Sequence, residues 1–62
     1  MTKFEAAKAD TLNAIEMGST FIIPSFVSDQ YGRAISSKLF RELDMTALGY
    51  RKSRSVYIKV GA

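Results

Sequence analysis

The chain has 62 residues, a net charge of +3 and 47% hydrophobic residues. That is enough for one small domain and too apolar for an intrinsically disordered segment. It contains neither Cys nor His, which removes disulfides, thiolate and imidazole catalysis and the usual zinc ligands.

A domain this short buries only about 60% of the surface its unfolded form exposes, so its stability is expected to be marginal and dimerisation is one remedy. Enclosing a pocket of about 300 Å3 is also hard at this size, so no enzyme activity, small-molecule substrate or cofactor is expected. The longest apolar run, Phe21-Ile22-Ile23, is far short of the ~20 residues of a spanning helix. Lys3 and Lys8 are not followed by the apolar stretch of a signal peptide. A cytoplasmic protein with no membrane partner is the expectation.

Thr2-Lys3-Phe4-Glu5 has the spacing of a capping box and opens a first helix over about 3–17. Phe4, Ala7, Thr11, Leu12 and Ile15 recur at helical spacing on its inward face, and Gly18 suits its end. Thr20 to Ile23 is a short β-branched and aromatic run that Pro24 terminates, which predicts a strand. Pro24 opens a second helix running to Tyr31, with Phe26 or Val27 and Tyr31 facing inward and Gly32 closing it. Ile35, Leu39, Phe40, Leu43 and Ala47 fall within an arc of about 140°, which predicts a third helix over about 36–48. Ser36 or Ser37 is its expected N-cap, and Leu48-Gly49 its end. In the tail, Val56, Ile58 and Val60 alternate with Tyr57 and Lys59, a strand period. Tyr50-Arg51-Lys52 is the expected partner strand, across a turn near Ser53-Arg54. The predicted class is α+β: three helices and a three-stranded antiparallel sheet, in one domain over 1–62.

The charge is unevenly placed. Up to Tyr31 there are two cations against four anions, and from Gly32 onward seven against two. Cations gathered on one helix and one hairpin suit a polyanion met on one face. The acidic residues form no metal or catalytic cluster by spacing, and the glycines do not form a phosphate-cradling loop.

The element order resembles a winged helix-turn-helix domain over nearly the whole length. The likeness rests on Phe21-Ile22-Ile23, on Gly32, and on Lys38-Leu39-Phe40-Arg41-Glu42-Leu43 continuing through Leu48-Gly49-Tyr50 to the basic tail. That tail is similar to winged helices of phage and plasmid replicative helicase-primases and to small transcription regulators. The resemblance implies that the third helix lies in the DNA major groove and that the hairpin is the wing. A wing this short is poorly suited to deep minor-groove insertion. The implied role is regulation of transcription, replication or recombination in a bacterium or phage.

In plain chemical terms, Arg41 has the shape for a bidentate pair with a guanine edge, and Lys38 for a guanine or a phosphate; the alternative for both is an ordinary solvated helix face that serves solubility. Ser36 and Ser37 are placed to donate to phosphate near a helix N-terminus. With Leu39, Leu43 and Ala47 inward, Ser37, Lys38, Arg41 and Met45 are expected in solvent. Arg51, Lys52 and Arg54, with Lys59 beside them, are either phosphate contacts or guards of an exposed strand edge. Arg33 is either a backbone contact or a solvated turn residue. Tyr50 and Tyr57 either stack on single-stranded bases or pack the sheet onto the third helix. Phe4, Phe21, Phe26 and Phe40 are expected in the core, with a dimer seam through Phe4, Leu12 or Met17 as the alternative. The partners expected are duplex DNA, and a homodimer mate or larger protein. The competing function is a protein-interaction module, for example a phage-encoded protein that captures a host protein by strand addition at the hairpin edge.

Overall fold

Three helices and three short strands make up the fold in a computed structural model that describes residues 2–61, in the order helix, strand, helix, helix, strand, strand. The first helix, α1, spans Lys3–Glu16. The expected capping box opens it: Glu5 N–H donates to Thr2 Oγ1 at 3.1 Å, and Thr2 N–H donates to Glu5 Oε1 at 3.1 Å. These bonds favour the ionised carboxyl, so Glu5 titrates below the ordinary carboxylate range, chiefly through the Thr2 backbone donor. Ala7 and Thr11 are buried on the inward face. Leu12, expected beside them, sits at its exposed margin. Met17 and a left-handed Gly18 (φ 84°) end the helix.

Strand β1 is only Phe21–Ile22, shorter than the expected run. Pro24 stops it and serves as the first residue of α2, Pro24–Tyr31. Tyr31 hydroxyl donates to the Asp10 carboxylate, joining the end of α2 to α1. That bond is the main reason the Tyr31 phenol titrates above its ordinary value.

Gly32 alone separates α2 from α3, which spans Arg33–Glu42. The third helix is therefore displaced from the expected 36–48 at both ends. It begins early because Gly32, at φ 102° and ψ 154°, makes the whole turn, and its carbonyl accepts Ser36 N–H at 3.1 Å. Neither Ser36 nor Ser37 is a cap. The helix stops early because Leu43 turns extended (φ −77°, ψ 127°) and Asp44 caps a separate turn. Asp44 Oδ1 accepts Ala47 N–H at 3.1 Å, and its carbonyl accepts Leu48 N–H at 3.1 Å. The break swings Met45, expected in solvent, into the core at 4% exposure, and leaves Ala47 outside.

The hairpin joins β2, Tyr50–Ser53, to β3, Val56–Lys59. Tyr50 lies opposite Lys59, Arg51 opposite Ile58, Lys52 opposite Tyr57 and Ser53 opposite Val56. Arg54 and Ser55 form the turn, and Arg54 takes φ 58°, a left-handed conformation that disfavours any side chain. β1 adds to β3, with Phe21 opposite Ile58 and Ile22 opposite Tyr57, so the order is β1-β3-β2 and the sheet is antiparallel.

Register decides which side of the sheet meets the helices. Ile22, Tyr50 and Tyr57 face inward, and Ile22, Met45 and Tyr50 form the core with Ile15, Phe40 and Leu43 packed against them. The Tyr50 ring is 2% exposed and its hydroxyl donates to the Ser19 carbonyl. Tyr57 stacks on Phe40, with ring centroids 5.4 Å apart and planes 18° from parallel. Both tyrosines are thus committed to packing. Two phenylalanines are not in the core as expected: Phe21 is 58% and Phe26 66% exposed. Strand alternation forces Phe21 outward once Ile22 points in. In α2 the half-buried position goes to Val27 instead of Phe26.

Two measurements check this account. Glu5→Gln keeps the capping geometry but not the charge. Because the folded-state pKa of Glu5 is depressed, its contribution is present above the unfolded pKa and lost as pH falls through the folded one. The stability difference between the two proteins is therefore expected at neutral pH and should vanish in acid, read by urea denaturation across pH. Arg54→Gly removes a left-handed penalty and is expected to raise stability by about 1 kcal/mol in the same assay.

Candidate nucleic-acid interface

The third helix and the hairpin enclose an open groove of about 720 Å3, closed at one end by the start of α2. Five of the eight residues singled out from the sequence line it: Arg33, Ser36, Ser37, Arg41 and Lys52. None of the described lining residues is acidic.

Arg33, Ser37 and Arg41 recur every four residues on α3, so they form one stripe within an arc of about 80°. All three are exposed. Lys52 arrives from the other wall. It shares the helix-facing side of β2 with Tyr50, but it lies two residues nearer the turn, where the strand has run past the core. The stacked pair of Phe40 and Tyr57 lies between these walls and fixes their separation. Three cations thus converge on one concavity from two elements.

The serines divide by burial. Ser36 is 4% exposed, and its hydroxyl donates to the Pro24 carbonyl at 3.2 Å. Ser28 Oγ donates to the same carbonyl at 3.2 Å. Ser36 is therefore a tie between α3 and the first turn of α2, with its hydroxyl turned inward. Ser37 and Ser55 remain as exposed hydroxyls on the groove. Ser55 was not singled out from the sequence. Its position in the turn after Lys52 was the available signal.

The other three predicted residues lie elsewhere. The Lys38 ammonium sits 4.8 Å from the centroid of the Phe4 ring, on the side of α3 that faces α1. Arg51 alternates onto the outer face of the sheet, level with Ile58 and Phe21. Arg54 stands exposed at the hairpin tip.

Among the described residues, no three acidic side chains come together as a metal site requires, and no helix is long and apolar enough to cross a membrane. No protein-family model, curated protein sequence or solved structure matches the chain.

Proposed function

We propose that this chain is a small winged helix-turn-helix protein that binds duplex DNA, with the groove between α3 and the hairpin seated on the sugar-phosphate backbone. The observation that carries the reading is the convergence of Arg33, Arg41 and Lys52 on a groove with no acidic residue among the described lining residues. The architecture supports it, because the order helix, strand, helix, helix, hairpin is that of a winged helix. One departure is that a single residue joins α2 to α3, where a helix-turn-helix ordinarily has a turn of 3–4 residues.

In this reading α3 enters the major groove. Arg33 and Lys52 take phosphates on either side of the groove, Ser37 and Ser55 donate hydroxyls to phosphate oxygens, and Arg41 reaches a guanine edge. The two-residue wing lies on the backbone, and Arg54 at its tip touches a neighbouring phosphate. Lys38, held by Phe4, borders the footprint. Arg51, on the far face of the sheet, lies outside it. Regulation of transcription, replication or recombination follows from such binding.

Fluorescence anisotropy on duplex DNA at two salt concentrations tests the assignment. Lys52→Ala is expected to weaken binding to all sequences and to lower the salt slope by about one unit, while Arg51→Ala leaves the slope nearly unchanged. Arg41→Ala is expected to cost about 1–3 kcal/mol on a selected site and less on random DNA. Salt-insensitive binding, or equal effects of Lys52→Ala and Arg51→Ala, would remove the groove from the mechanism.

A further inference from the structure

If α3 lies in the major groove of duplex DNA, the side chains that packing leaves free on it set how much sequence it can read. This inference rests on that DNA-binding reading. One base pair is told from another by matched donors and acceptors: Arg or Lys for guanine, Asn or Gln for adenine, Asp or Glu for cytosine. We propose that each copy binds duplex DNA with relaxed sequence selectivity, reading one G·C pair through Arg41 and holding the rest of its footprint by phosphate contacts.

The helix has few readers to offer. Its ten residues include neither Asn nor Gln. Ser36 and Leu39 are buried, and Ile35 and Phe40 are half-buried. Lys38 turns toward α1, with its ammonium 4.8 Å from the centroid of the Phe4 ring. Glu42, the one acid of the helix, lies about 100° round from Arg41 and away from the basic stripe. Arg33, Ala34, Ser37 and Arg41 remain, all exposed. Arg33 takes a phosphate in the proposed mode. Ala34 offers one methyl, whose contact with a thymine methyl is small beside a bidentate pair. The Ser37 hydroxyl both donates and accepts, so it suits every base edge alike. Arg41 is left as the single bidentate group.

The hairpin adds no reader. Its turn is two residues, Arg54 and Ser55, too short to run along a minor groove, whose edges distinguish little beyond A·T from G·C. Lys52 faces the backbone, and Arg51 is on the far side of the sheet. One good bidentate pair discriminates by about 5- to 150-fold. Sequence-specific proteins typically prefer their sites by about a thousand-fold or more, against roughly a million or more competing sites in a genome. A single pair cannot pick out one operator on that scale. The cations assigned to phosphates, Arg33, Lys52 and Arg54, supply affinity that ignores sequence. The substrate class is therefore duplex DNA in general, with a mild preference for guanine at one position.

Selection of bound duplexes from a randomised pool by the full chain, followed by anisotropy titration of the best duplex and of random duplex, tests this. Enrichment is expected at one G·C position, with the best duplex favoured by less than about 150-fold. Three phosphate contacts give an expected salt slope of about −2.7 on random duplex. Arg41→Gln is expected to move the enrichment at that position to A·T, because Gln pairs with an adenine edge. Arg33→Ala is expected to weaken all duplexes by the same factor and to leave the enriched base where it was. Both positions are exposed, and retained binding to random duplex shows that each variant is folded. A preferred site of about four or more base pairs, or a best duplex favoured by about a thousand-fold, overturns the inference and leaves the DNA-binding reading standing. An enriched G·C pair that Arg41→Gln does not move overturns it too. No binding to any duplex at low salt removes both.

Discussion

The groove exists because Gly32 turns the chain between two helices in a single residue. Its dihedrals, φ 102° and ψ 154°, lie where side chains are rarely accommodated. No atom lies within 4 Å of where a Cβ would stand, so the constraint is conformational and not steric crowding. With so short a link, α3 has little freedom to pivot about α2, and the Ser36 bond to the Pro24 carbonyl pins the two helices again one turn along. Arg33, the first residue of α3, is aimed by that turn. Everything the basic stripe faces follows from it.

Electrostatics then sort the cations into different kinds of surface. Arg33, Arg41 and Lys52 surround one concavity, where low-dielectric walls concentrate their positive field. Lys38 spends part of its attraction on the Phe4 ring, which also ties α3 to the start of α1. Arg51 shares the outer sheet face with Phe21 and Ile58. A count of positive residues cannot distinguish these environments, and strand alternation separates Arg51 from Lys52 although they are adjacent.

Much of the architecture could be read from local chemistry. The capping box at Thr2 and Glu5, the stop at Gly18 and the opening of α2 at Pro24 each depend on residues only a few positions apart. The antiparallel three-stranded sheet also followed from element order. The failures came where two local rules competed. Asp44 is as good a cap as either serine, and it took Met45 and Ala47 out of α3, so a periodicity that runs through to Ala47 was misleading. At Phe21 and Phe26, size suggested burial, but Ile22 and Val27 held the inward positions. Of the proposed site, the residue types and two elements were legible. The separation of Ser36, Lys38 and Arg51 from the exposed groove residues required knowing where α3 begins and which way β2 faces.

The strand order carries a consequence for how the protein is made. β3 lies between β1 and β2, although it comes last of the three along the chain. During synthesis β1 therefore has no neighbour to pair with until β3 has emerged. Until then the inner face of Ile22 and the apolar side of α3 have no Tyr57 to cover them. Helices held together by short-range contacts form early, while pairing across more than thirty residues waits for the last strand. Apolar surface left uncovered in this way is open to non-specific association. The sheet is closed only when β3 takes its place between the two strands that precede it.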